Sequence, residues 1–193
     1  MNREFLNEAI NLFDTSEKWN SFLELFYQKD KIVMGEWFNK AKISVNNHFI
    51  NDPAEGWTFK NWNTWDYKWF LKDFGENSLC IWMYGNRIGL WLNGSLFDSD
   101  KANSLLNTEK YSRLLSIFRP DEISPYDWKI IETGNFVFNS VNDGHISSDE
   151  LAWYAGNQTE ELVKQIAEKI NRIRKNPELT QLLRELNEKC KRE

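Results

Sequence analysis

The segment Gly56–Trp91, GWTFKNWNTWDYKWFLKDFGENSLCIWMYGNRIGLW, holds six of the ten tryptophans and constrains the fold more than any other stretch. Within it, Leu79–Tyr84 and Arg87–Leu92 flank Gly85-Asn86. A two-residue connection of this kind needs positive φ, which glycine and asparagine tolerate, so the pair predicts a tight β-hairpin. Trp57-Thr58-Phe59 alternates, and Thr64–Phe70 is dense in aromatic residues of both parities. Successive strand side chains point to opposite faces, so Trp65, Tyr67 and Trp69 share one face and Asp66, Lys68 and Phe70 the other. Gly89 inside the second hairpin strand implies a bulge or the close approach of a large neighbour.

Both flanks of this stretch have helical periodicity. Phe5, Leu6, Ala9, Ile10 and Phe13 fall at helical spacing, and Asp14-Thr15-Ser16-Glu17 then reads as a stop followed by a capping box. Trp19, Phe22, Leu23 and Phe26 form an i, i+3, i+4, i+7 stripe on a second helix. Met34, Trp37, Phe38, Ala41, Val45 and Phe49 continue the pattern over 31–49, although Ile32-Val33 and Gly35 interrupt it and fit a short strand at its start. Tyr111, Leu114, Leu115 and Phe118 place a helix over 100–118, Asp121–Asp127 reads as a loop, and Trp128–Glu132 and Phe136–Phe138 as strands joined at Thr133-Gly134. Ser147 and Glu150 make a capping box, and Asn176-Pro177 starts a last helix striped by Leu179, Leu182, Leu183, Leu186 and Cys190.

The expected architecture is α+β in one domain over 1–193. It has helices over 1–50, an antiparallel sheet of about four to six strands within 56–138 interrupted by the 100–118 helix, and helices again over 147–190. The chain is 41% hydrophobic and 15% aromatic, enough for a packed core. Its net charge of −5 argues against a general polyanion binder. Residues 160–193 carry nine Lys and Arg against seven Asp and Glu, too mild an excess for a basic arm. Cys80 and Cys190 lie far apart with no C-x-x-C spacing, which fits two free thiols in a reducing, cytoplasmic compartment. No window is long and apolar enough to span a membrane.

Catalytic signatures are missing. The two histidines, His48 and His145, have no serine or cysteine context that makes a triad, and neither G-x-S-x-G nor a phosphate-binding glycine loop occurs. Metal-dependent nuclease chemistry needs clustered carboxylates. Asp66, Asp127 and Glu132 can supply them only if the fold assembles them.

One metal motif stands out, Asn139–Glu150, NSVNDGHISSDE. It resembles the EF-hand calcium loop, with Asp143 at the fifth position, Gly144 at the turn, Ile146 at the eighth, Ser147 at the ninth and Glu150 at the twelfth. The resemblance implies calcium held by Asp143 and Glu150. Asn139 replaces the first aspartate of that pattern, and Val141 at the third position cannot ligate. A glycine turn followed by a helix capped by Ser147 and Glu150 accounts for every residue without a metal. No other cofactor is indicated.

Two functional readings follow. The leading one is a non-catalytic intracellular protein-interaction domain, of adaptor, inhibitor/immunity or accessory type. Its contact surface would be acidic and tryptophan-rich, formed by Trp57, Trp62, Trp65, Asp66, Tyr67 and Trp69, and its partner another protein with a basic patch. The competing reading is an enzyme or ligand-binding domain for nucleic acid or saccharide, stacking bases or sugars on the same face beside fold-assembled carboxylates. The tryptophans can instead pack beneath the N-terminal helices, whose Trp19, Trp37 and Phe38 need partners.

Overall fold

The computed structural model describes residues 3–63, 65–85, 87–115, 120–123, 128–133 and 148–193. The chain opens with three helices, α1 (Arg3–Asn11), α2 (Ser16–Ile32) and α3 (Phe38–Asn51). Four strands follow, β1 (Trp57–Asn61), β2 (Asp66–Leu71), β3 (Cys80–Tyr84) and β4 (Arg87–Asn93). Helices α4 (Ser99–Leu106) and α5 (Glu109–Leu115) precede β5 (Pro120–Ile123) and β6 (Trp128–Thr133), and α6 (Ser148–Asn157), α7 (Thr159–Arg174) and α8 (Pro177–Cys190) end the chain. The architecture is α+β, an antiparallel sheet between N- and C-terminal helices, as the periodicities imply.

Strands β1–β4 form an antiparallel meander, and β6 and β5 extend it in the order β1-β2-β3-β4-β6-β5. The hairpin turns where the dipeptide predicts. Tyr84 pairs with Arg87, and Gly85 has φ +58°, a left-handed value that costs a glycine little. Trp65 fastens this turn by donating its indole N–H to the Gly85 carbonyl at 2.9 Å. Gly89 stands opposite Trp82 in the register.

The two parities of β2 go to different environments. Tyr67, Trp69 and Leu71 join Trp57, Trp65, Ile81, Met83, Ile88, Leu90 and Leu92 in the main core. That face packs against Phe38, Ala41, Val45 and Phe49 of α3 and the apolar stripes of α7 and α8. Phe70, Cys80 and Trp91 form a second, smaller cluster on the other face, with Trp82 half-buried against it. Helix α8 is docked rather than free. The Asn187 amide accepts from the Leu79 N–H at 2.7 Å and donates to the Leu79 carbonyl at 3.0 Å, while Phe97 bridges to Lys191.

Three local expectations change. The segment over 31–49 does not start with a strand: α2 passes into α3 through a π-helical turn, Val33–Trp37, that absorbs Ile32-Val33 and Gly35. Such a turn rotates one helix face relative to the next, which reads in the sequence as an interruption. The single helix over 100–118 is two, α4 and α5, divided at Asn107-Thr108, where the Thr108 hydroxyl donates to the Leu105 carbonyl. Residues 120–123, within and beside the expected loop, form edge strand β5. Proline is tolerated there because an edge strand leaves donors unpaired. The strand expected over Phe136–Phe138 lies outside the described residues.

Candidate interaction surface

Helix α2 is capped by Thr15, whose hydroxyl accepts from the Lys18 N–H at 3.2 Å. Its apolar residues recur at helical spacing, yet none is buried. Trp19 is 46% exposed, Phe22 38%, Leu25 61%, Phe26 61% and Tyr27 77%; Ile10 and Leu12 at the end of α1 are 60% and 66% exposed. The rings follow one another along the helix as a ladder of tilted and edge-to-face contacts. Phe13 lies 4.7 Å from Phe22 and 5.5 Å from Trp19, Trp19 5.6 Å from Phe22, Phe22 6.2 Å from Phe26, and Phe26 6.0 Å from Tyr27.

The base of the ridge is fixed to the body. A Cβ on Gly156 would fall 2.4 Å from Trp37 Cγ, so the absence of a side chain there lets α6 seat against the π-turn. Lys40 donates to the Gly156 carbonyl at 2.7 Å, and Lys29 of α2 pairs with Asp149 of α6 at 3.1 Å. These contacts aim the ridge without covering it.

The residues anticipated as a binding face divide. Trp57, Trp65, Tyr67 and Trp69 are core residues, at most 5% exposed, and burial drives the Tyr67 phenol well above its ordinary pKa. Trp57 and Trp65 spend their indole N–H groups internally, Trp57 on the Thr180 hydroxyl at 3.3 Å. Trp62 is 48% exposed. Asp66 is half-buried and accepts from the Asn63 amide at 2.7 Å, tying down the turn between β1 and β2. Asp143 and the side chain of Glu150 lie outside the described residues, as do Asp127 and the side chain of Glu132. Among the described residues no three of His, Cys, Asp and Glu cluster as metal ligands.

Trp62 belongs to a cluster that strand parity did not single out, on the sheet face opposite the main core. Lys68 is 3% exposed, and its Nζ lies 3.3 Å from the ring centre of Trp91, 4.5 Å from Trp62 and 5.6 Å from Trp82. Its ammonium donates to the Glu76 carbonyl at 3.4 Å, while the Glu76 carboxylate pairs with Lys60 at 2.5 Å. Burial lowers the Lys68 pKa, and the ring faces offset that cost by attracting the cation. The same burial raises the Cys80 thiol to about 12, so it is not a nucleophile near neutral pH.

A groove of about 910 Å³ runs between α3 and α7, lined by Ser44, Asn47, His48, Val163, Lys164 and Ala167 among others. At its end the Asp52 carboxylate accepts from Lys175 at 2.6 Å and Asn171 at 3.1 Å, and the Asp52 carbonyl accepts from Arg174 at 2.6 Å. Lys175, then Asn171, hold the Asp52 carboxyl below its ordinary pKa. With its carboxylate and carbonyl both taken up, Asp52 caps the end of α3 and is not poised as a base. No family model matches the chain, and neither does any curated protein or solved structure.

Proposed function

We propose that this chain is a non-catalytic protein-interaction domain of adaptor, inhibitor/immunity or accessory type, and that its contact surface is the α1–α2 ridge. The carrying observation is the ladder from Trp19 to Tyr27, which follows helical spacing and is left open to solvent. Large aromatics anchor interfaces because each buries much area at little rotamer cost. An amphipathic helix laid into a partner's groove uses the i, i+3, i+4, i+7 pattern formed by Trp19, Phe22, Leu23 and Phe26. The acid surplus lies mainly elsewhere, since α2 carries three acids and three bases. The contact is therefore apolar first. Two free, buried cysteines support a reducing cytoplasmic setting.

Trp62 and Tyr84, 48% and 56% exposed beside the caged Lys68, favour a second reading, a stacking site for a base or sugar. Affinity capture from nuclease-treated lysate separates the two. Wild type and Trp62→Ala are expected to retain the same discrete protein, and Phe22→Glu/Phe26→Glu to lose it with an unchanged circular dichroism spectrum. Loss of capture with Trp62→Ala, or recovery that disappears with nuclease, would move the assignment to the sheet.

A further inference from the structure

We infer that the ridge docks on the same ridge of a second copy, so that two α1–α2 hairpins close into an antiparallel four-helix arrangement and the protein is an isologous dimer. This rests on the reading of the ridge as a protein-contact surface and names its partner.

The first ground is area. At ~200 Å² per ring, the exposed fractions of Trp19, Phe22, Phe26 and Tyr27 leave about 450 Å² of aromatic surface open. Ile10, Leu12, Leu25 and Met34, each 48–66% exposed, bring the total toward the ~800 Å² that one partner contributes to a standard interface. The largest apolar patch of an ordinary monomer is about 300–600 Å².

The second ground is shape. At about 100° per residue, Leu25, Phe22, Phe26, Trp19, Leu23 and Tyr27 spread over about 200° of the α2 circumference. That is roughly twice the stripe one flat contact needs. Phe13 at the end of α1 already lies against Trp19 and Phe22, so covering the remainder takes a surface made of more than one helix. The hairpin itself is such a surface, and two amphipathic helix pairs bury their stripes by packing as a four-helix bundle.

The third ground is charge. Helix α2 is neutral overall, with Glu17 in its first turn and Lys29 and Lys31 in its last. Antiparallel pairing of a neutral helix therefore sets no net like charge against like across the seam. Lys18 and Lys29, which an antiparallel partner brings near each other, are each neutralised within the chain, by Asp14 at 2.7 Å and Asp149 at 3.1 Å. A neutral helix without a basic flank is a poor match for an anionic membrane surface.

Sedimentation velocity of the full chain from about 1 to 100 µM tests this, a range that brackets micromolar association. The expected result is a concentration-dependent dimer that Phe22→Glu/Phe26→Glu converts to monomer with an unchanged circular dichroism spectrum. As a second variant, Leu23→Cys is expected to form a disulfide dimer on mild oxidation and Ser112→Cys, exposed on α5, to form none. A wild type that stays monomeric throughout, or a dimer that survives the double substitution, would overturn the inference. If a monomeric wild type still captures a different protein that the double variant loses, or binds vesicles of phosphatidylcholine and phosphatidylserine, the second copy is excluded. Only the first of these leaves the protein-contact reading standing, and a monomer that captures nothing and ignores vesicles would end both.

Discussion

Asn187 shows how one polar residue on an apolar stripe determines docking. It falls at i+4 from Leu183, on the buried face of α8, and is itself fully buried. Its amide answers both backbone groups of Leu79 at the entry to β3, and its Nδ2 also donates to the Leu183 carbonyl at 3.1 Å. Replacing it with alanine leaves a buried N–H and a buried C=O without these partners, at ~1–3 kcal/mol each. Asn187→Ala is therefore expected to lower unfolding stability by about 2–5 kcal/mol, read from the urea midpoint. A loss below about 0.5 kcal/mol, the range of ordinary surface substitutions, would show that α8 is held by its leucines alone. Spacing along α8 picks out the leucines and Cys190 and passes over Asn187, whose partner Leu79 is 108 positions away.

Among the elements, the N-terminal helices show what periodicity conveys and what it omits. The Trp19–Phe26 stripe is read directly from spacing, and so are the faces of β2, because both depend on local geometry. Whether a stripe is covered depends on tertiary neighbours, and here the two cases exchange places. The β2 rings, open to reading as a contact face or as core, are core, and the α2 rings that the core reading would set over them are exposed. The π-turn adds to the difficulty, since an inserted residue breaks the phase that links one helix to the next. The cage around Lys68 was hidden for a related reason, as it joins residues of three strands and the turn after β1.

The junction of α3 and α7 carries a pH prediction. Asp52 gains Lys175 and Asn171 on folding, so its folded pKa lies below the unfolded value of ~3.9. Its stabilising contribution is complete above that unfolded value and is lost as pH falls through the folded one. Side-chain exposure of 27% at Asp52 keeps the effect small, about 1 kcal/mol or less. Urea midpoints measured from about pH 5 to pH 2 should fall less steeply for Asp52→Asn than for wild type. Equal slopes would place the acid sensitivity in other carboxylates, among which Glu76 is also depressed, chiefly by Lys60.

The whole molecule divides into a folding core and an exposed helical ridge. The sheet and helices α3, α7 and α8 bury their aromatic and aliphatic faces in one another. The α1–α2 hairpin contributes little to that core and reaches the body through the π-turn and the Lys29–Asp149 pair. Among the described residues no helix is long and apolar enough to cross a membrane. On the proposed reading the exposed rings meet a protein partner, and their protection should depend on occupancy rather than on folding.

Hydrogen exchange of the backbone amides in dilute and concentrated protein, and in any complex that capture isolates, tests this most directly. Slowing on association is expected to concentrate in residues 7–34 and to leave β1–β4 unchanged. Slowing over 57–71 with none in the hairpin would contradict it and return the contact surface to the tryptophan-rich strands.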